Sequence, residues 1–235
     1  MTSSAYSNSD HEVRTEDPYA LEKYVITLRW LRQRDAGPSL FNIGCGSGVF
    51  NQMAVDAGYT VEAYEPDPDA YALAARARPP TGCSVHNVAL GDIPGSHVAD
   101  VVVMHDVLEH LPEDAPAVDR LHDLLRPDGV LILSVPAMPS LFGYHDEQLG
   151  HYRRYTKTRL RAVIERRFDV QRLHAFGLGF VPVAFYYSRW RRKPYPVTVA
   201  GGRHVVGHAV RFACSLEGRI PPPVGTSLLC LAVPR

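Results

Sequence analysis

An α/β fold built on a parallel sheet is what this 235-residue sequence predicts. Three observations lead there. A short apolar run, Leu40, Phe41 and Ile43, stops abruptly at alternating glycines, Gly44, Gly46 and Gly48, and a helix-like segment follows. A second apolar run, from Val61, ends in a carboxylate, Glu65. Strand-like and helix-like segments then alternate along the chain, which implies parallel strands joined by right-handed crossovers.

Taken in order, Asp17-Pro18 caps and opens an N-terminal helix over 18–35, with Leu21, Tyr24, Val25, Leu28 and Leu31 or Trp30 at helical spacing. Strands are predicted at 39–43, 60–65, 83–88, 98–104 and 129–135, with helices near 47–57, 68–77 and 114–126. Residues 168–175 and 226–233 supply two more strands. Prolines 221–223 form a bend before the last strand and not a domain linker. The first seventeen residues are polar, without a basic start or an apolar segment, and are expected to be a disordered tail. Residues 18–235 are then one domain.

A buried strand, a glycine turn and a helix N-terminus together bring backbone N–H groups close to a ligand. A carboxylate at the tip of the neighbouring strand is placed to reach ribose hydroxyls. A dinucleotide fingerprint would need glycine at 49, where the chain has Val49, so a nicotinamide oxidoreductase is disfavoured. With glycines at 44, 46 and 48, the segment resembles the first motif of the class I S-adenosylmethionine-dependent methyltransferases. Asp100–Leu111 is similar to that family's fourth strand and following turn, and Leu124–Val135 to its helix, Pro-Asp-Gly turn and fifth strand. The resemblance implies a Rossmann-like seven-stranded mixed sheet, order 3-2-1-4-5-7-6, with strand 7 antiparallel and helices on both faces. It implies S-adenosyl-L-methionine as cofactor and S-adenosyl-L-homocysteine as product. Asn42 departs from the family's usual acidic residue near the aminoacyl end, and an amide brings no charge to attract the ammonium.

The resemblance also implies roles. Gly44, Cys45 and Gly46 should offer backbone to the aminoacyl and ribose portions, and Glu65 should take the ribose hydroxyls. Pro66 should flank adenine, Ala89 and Leu90 should frame it, Asp92 should approach its amino group, and His105 should face the methionine end. Asp106-Val-Leu-Glu-His110 is similar to an acidic-x-x-Glu-His constellation that binds a divalent metal in some branches. Here a structural or acid–base role is expected, and no metal.

Formal net charge is zero, so no electrostatic footprint for nucleic acid is present. The four cysteines are scattered without C-x-x-C spacing and are expected to be buried or incidental thiols in a reducing cytoplasm. Abundant Arg, Ala, Pro and Gly suggest a bacterial source of high GC content. No stretch reaches the about 18 apolar residues of a membrane span. Phe176–Tyr187 followed by Arg189–Lys193 is expected to wall the acceptor pocket, with peripheral membrane contact as the less favoured alternative.

The segment after the fifth strand crowds acids, bases and rings over the cleft. Its His-Asp-Glu and His-x-Arg-Arg-Tyr-Thr pattern resembles a bacterial small-molecule branch of the superfamily. Tyr144, His145 and His151, with His110, are the candidate catalytic residues, an imidazole titrating near working pH. Asp146, Arg153 and Arg154 could instead form an ion-pair lattice that fixes the loop, with Thr156 capping the next helix. Residues 136–155 and 176–225 are read as acceptor-side insertions. The function expected is methyl transfer to a small aromatic or heteroaromatic acceptor in bacterial natural-product biosynthesis. Two alternatives stand: a membrane-surface methyltransferase of a lipid-linked or quinone-like substrate, and a non-catalytic S-adenosylmethionine-binding module. Carbon, nitrogen and oxygen acceptors are not separable, and the sequence says nothing of oligomeric state.

Overall fold

The computed structural model describes residues 17–77, 79–188 and 212–235. Residues 1–16 of the tail expected over 1–17 and the basic run 189–193 lie outside the described residues, whereas Asp17 belongs to the fold as a helix cap. Seven strands form one sheet in the order β3-β2-β1-β4-β5-β7-β6. They are β1 (Ser39–Ile43), β2 (Thr60–Tyr64), β3 (Cys83–His86), β4 (Ala99–His105), β5 (Leu125–Pro136), β6 (Phe168–Phe176) and β7 (Ser227–Pro234). The first five are parallel, and β7 runs antiparallel to both β5 and β6. The sequence-predicted order and the direction of β7 are those observed.

Side chains alternate across the sheet, as a pleat requires. Leu40, Val101, Val103 and Ile132 pack beneath α1 (Pro18–Arg34) and α2 (Val49–Asp56). Phe41, Val102, Met104, Leu131 and Leu133 pack against α4 (Asp114–Leu124) and α6 (Lys157–Ile164), which contribute Val118, Leu121, Leu160 and Ile164. The remaining helices are α3 (Pro68–Arg76), α5 (Tyr144–Leu149) and α7 (Val181–Tyr186), with a further helical stretch at 212–217. The strand order reverses between β1 and β4, and in open α/β sheets the crevice for a ligand lies above the carboxyl ends at that point.

Three sequence expectations are corrected. Asp17 does cap α1, its Oδ1 accepting from Tyr19 N at 2.9 Å. Leu28, Trp30 and Leu31 are buried as expected, but Val25 is 39% exposed, while Lys23 and Thr27, not expected inside, are buried. Both polar side chains find partners at the sheet edge, and this overrides a count of apolar positions. Pro127-Asp128-Gly129 is not a separate turn but an irregularity inside β5, where the pairing steps from Ala99–Leu125 to Val101–Val130. β3 ends at His86, two residues early, because Asn87 turns its side chain onto the carbonyls of Glu65 and Pro66 at 2.8 and 3.1 Å.

Among the described glycines, the one at the junction between β6 and β7 has the tightest backbone approach. A Cβ on Gly225 would lie 2.2 Å from the carbonyl oxygen of Phe176. Gly225→Ala should therefore cost about 3 kcal/mol, whereas Gly91→Ala, with open space around it, should be close to neutral. Urea unfolding midpoints at unchanged m-value measure both, and equal midpoints would refute the steric argument.

Candidate functional site

The crevice floor is built by the bend after β1. Gly44 N and Cys45 N both donate to Tyr64 O, at 2.7 and 3.1 Å, which locks the bend to the tip of β2. Gly44, Gly46 and Gly48 have φ of +70°, +54° and +84°, left-handed conformations that favour glycine. The acid that ends β2 completes the bend: Glu65 Oε2 accepts from Gly46 N at 2.8 Å and Oε1 from Asp67 N at 3.0 Å. A buried carboxylate held by backbone donors has its orientation set before any ligand arrives. Cys45 contributes bulk and not a thiolate, since burial pushes its thiol up to about 12.

The other residues expected at the cofactor are placed less uniformly. Asn42 is buried, and its amide donates to Asn51 Oδ1 at 2.7 Å, tying β1 to α2. Pro66 is exposed at the start of the turn that Asn87 holds. Ala89 and Asp92 are exposed on a short 3-10 turn, with Asp92 N donating to Ala89 O at 3.0 Å. Leu90 packs against the α4-side core.

His105, at the end of β4, is buried among rings: Tyr24 and Phe50 lie with centroids 5.0 and 5.1 Å from its own. Its Nε2 meets Thr27 Oγ1 at 2.9 Å, while Nδ1 has no hydrogen-bond partner among the described residues. Burial presses its pKa down to about 3; Asp106 opposes this and Lys23 reinforces it. The ring is neutral at working pH. The next residue, Asp106, adopts φ +53°. It accepts from Ser134 Oγ at 2.9 Å and forms an ion pair with Lys23 of α1. Further along α1, the Tyr19 hydroxyl bonds Thr226 and Ser227 at 2.8 and 2.6 Å. Tyr19, Lys23 and Thr27 thus form a polar stripe laid over the ends of β4 and β7.

Across the crevice, Asp146 of α5 is the hub of the loop after β5. It is fully buried and accepts from Arg154 Nε at 2.7 Å and Gly143 N at 3.1 Å, and its Oδ1 lies 2.9 Å from His151 Nδ1. Burial alone would raise this carboxyl, but the His151 hydrogen bond and the Arg154 guanidinium together hold it below the usual carboxylate range. Arg153 and Arg159 flank Asp114 at 3.5 and 3.6 Å, and Thr156 caps α6 by accepting from Arg159 N at 3.1 Å. Of the ion-pair lattice weighed from the sequence, the Asp146–Arg154 pair is present, whereas Arg153 pairs with Asp114 instead of Asp146. Tyr152 N donates to Glu109 O at 2.8 Å and stitches this loop to the turn after β4.

The structure brings His110 and His151 together, their rings perpendicular with centroids 4.6 Å apart. Tyr144 and His145 sit on α5 beside Asp146, half-buried. Glu109, His110 and His151 can present ligand atoms within 4.8 Å of one another. This metal-competent set differs from the one in the motif, because Asp106 is drawn away to Lys23 and Ser134 while His151 arrives from the loop. Sequence reasoning missed Lys23, Thr27, Tyr19 and Asn87. The 19/23/27 spacing, polar residues four apart on one helix face, was the available signal for the first three.

Comparison with known proteins bears on the family and the fold. Residues 14–181 match a family model described as a methyltransferase domain. An uncharacterised methyltransferase of Mycobacterium leprae is 26% identical over 186 residues, covering 74% of this chain and 68% of that protein. A ubiquinone biosynthesis O-methyltransferase of Haemophilus ducreyi is 28% identical over 106 residues, 42% of this chain and 45% of its own length. Among solved structures, an S-adenosylmethionine-dependent methyltransferase from Mesorhizobium loti superposes with TM-score 0.59 at 17% identity, covering 88% of this chain and 95% of that one. A 1,6-didemethyltoxoflavin-N1-methyltransferase from Burkholderia thailandensis, bound to S-adenosylhomocysteine, gives TM-score 0.58 at 16% identity, covering 94% and 79%.

The neutral, buried His105 makes a pH prediction. Its folded pKa of about 3 lies below the ordinary 6.5, so the unfolded chain takes up the proton first as pH falls. Stability should decline through the window from 6.5 towards 3, by about 1 kcal/mol per pH unit. His105→Gln cannot titrate and should lose less stability than the wild type between pH 7 and pH 5, measured by urea unfolding. Equal losses would show that the ring is not held neutral.

Proposed function

Since the chain belongs to the class I S-adenosylmethionine-dependent methyltransferases, we propose that it methylates a small aromatic or heteroaromatic acceptor, with His151 as the base. The cofactor fits the residues present. The glycine bend, the anchored Glu65 carboxylate and the buried Nδ1 of His105, without a hydrogen-bond partner among the described residues, would supply backbone, acid and polar contacts. When bound, the cofactor supplies an electrophilic methyl group on sulfur. The chain's own task is to align the acceptor opposite that methyl and to receive its proton.

One observation carries the base assignment: a buried Asp146, held ionised, faces His151 Nδ1. An ionised partner makes Nδ1 the protonated nitrogen and leaves the Nε2 lone pair to accept. His110 lies perpendicular beside it, and Tyr144 and His145 come from the adjoining short helix. Asp146 acts through His151 and is a positioning residue. Tailoring of a bacterial natural product belongs to this reading. A membrane-associated acceptor is the alternative, supported by the exposed Leu178, Val183, Phe185 and Tyr186 around α7.

A second reading has its own observation. Glu109, His110 and His151 could hold a divalent ion that acidifies an acceptor hydroxyl. The two readings exclude each other at one atom, because an ion on His151 Nε2 would occupy the lone pair that the base needs.

Incubating the protein and host extract with methyl-labelled cofactor should yield a small product heavier by one labelled methyl group, read by mass spectrometry. His151→Ala should keep cofactor affinity while turnover falls by about a hundredfold, and His145→Ala should lose less; full activity in His151→Ala would remove the proposed base. Dialysis against a chelator separates the second reading: activity lost and restored by a divalent ion supports the metal, and unchanged activity in metal-free protein supports the base. Co-sedimentation with liposomes would favour the membrane acceptor, and its failure the soluble one.

A further inference from the structure

The cofactor has an α-amino acid end that is zwitterionic at neutral pH, and the ammonium and carboxylate both need partners. β1 brings no charge to them, since Asn42 is an amide already committed to Asn51. The neighbouring strand end does carry charge, in an unusual form. Lys23 is only 3% exposed and forms an ion pair with Asp106, the first residue after β4. An ammonium has three donors; one is engaged by Asp106, and no second hydrogen-bond acceptor for Lys23 occurs among the described residues. Asp106, for its part, is fixed in place: its N–H donates to Ser134 O at 2.9 Å and its Oδ1 accepts from Ser134 Oγ at 2.9 Å.

A buried ion pair is a poor stabiliser, because desolvation offsets most of the attraction, and apolar residues of similar volume often serve a fold as well or better. One with unspent donors, set at the ligand edge of a sheet, points to a further partner. A second orphan lies next to it: His105 Nδ1 is buried without a hydrogen bond among the described residues, while Nε2 of the same ring is held by Thr27, one turn along α1 from Lys23. The position is also right. A Cβ on Gly44 would come within 2.3 Å of Val107, so the loop carrying Asp106 touches the glycine bend.

We propose that the Lys23–Asp106 pair seats the methionine end of the cofactor, Lys23 taking the α-carboxylate and Asp106 the α-ammonium. Two opposite charges laid against two opposite charges alternate in sign around a closed set, and the total is zero. The arrangement supplies the acid that β1 lacks and a cation with it. It also makes α1 part of the cofactor site and not merely a helix covering the sheet.

The inference rests on the methyltransferase reading, and calorimetric binding tests them separately. Wild-type protein should bind S-adenosylhomocysteine more tightly than 5′-methylthioadenosine, which lacks the amino acid. It should also bind S-adenosylmethionine more tightly than its decarboxylated form. Lys23→Met should weaken S-adenosylhomocysteine by about ten- to a hundredfold and leave 5′-methylthioadenosine and the decarboxylated compound unchanged. Asp106→Asn should weaken the decarboxylated compound as well, because that ligand keeps its ammonium. Equal weakening of every ligand by Lys23→Met, or none, overturns the assignment. Should the variants not fold, the wild-type comparison decides alone: equal affinity for the carboxylated and decarboxylated compounds overturns it. If the wild type binds none of the four, the methyltransferase reading itself has failed.

Discussion

The hydrogen bonds between Glu65 and two backbone N–H groups, at Gly46 and Asp67, are the constraint on which the upper surface of this molecule depends. Parallel strands end with backbone groups that have no partner on the sheet, and the chain must turn there in polar surroundings. Here the carboxylate spans from the tip of β2 to the bend after β1, so the bend has a fixed floor. The left-handed glycines follow from this requirement, since side chains at Gly44 would strike Val107. Asn87 adds the matching clamp from β3 by binding the carbonyls of Glu65 and Pro66. Three adjacent strands are therefore coupled at their tips by side chains, before any ligand is considered.

The setting of α1 follows from the same shortage of partners. A lysine buried without an opposite charge would cost several kcal/mol. Lys23 therefore has to meet Asp106, and Thr27 has to meet His105. Those two contacts, with Tyr19 on Thr226 and Ser227, determine which face of the helix turns inward. The apolar residues then adapt: Trp30 and Leu31 are buried, and Val25 is left in solvent. Electrostatic matching has thus placed Lys23 and Thr27 inside, which hydrophobic spacing alone does not reveal.

Legibility in the sequence divides along this line. Local signals carried the fold: the apolar runs of β1, β4 and β7, the Asp17 cap, and the alternation of strand and helix all lie within a few residues of the features they predict. The glycine bend and Glu65 were legible for the same reason. What could not be read were pairings across long sequence separations. Lys23 and Asp106 are 83 residues apart, and nothing local to either announces the other. The acidic-x-x-Glu-His motif suggested Asp106, Glu109 and His110 as one set, yet Asp106 turns away while His151, from beyond β5, takes its place beside His110. Pro127-Asp128-Gly129 looked like a turn because its composition is that of one, but ladder pairing continues past it on both sides.

Asp146 shows how loop order and chemistry are joined on the acceptor side. Its carboxylate serves Gly143, Arg154 and His151 at once, so the conformation of α5, the anchorage of the loop and the orientation of the imidazole are not independent. Arg154 reaches on to the carbonyl of Ala137 at the end of β5, which ties the hub to the sheet. An imidazole on a loop tip would sample many orientations and lose most of its effectiveness as a base. Held through Nδ1 by an acid that the sheet itself secures, it presents one nitrogen in one direction. The strands thus fix the side chains on both sides, Glu65 and Asp106 at the ends of β2 and β4 and, through Arg154 and Ala137, Asp146 with the imidazole it holds.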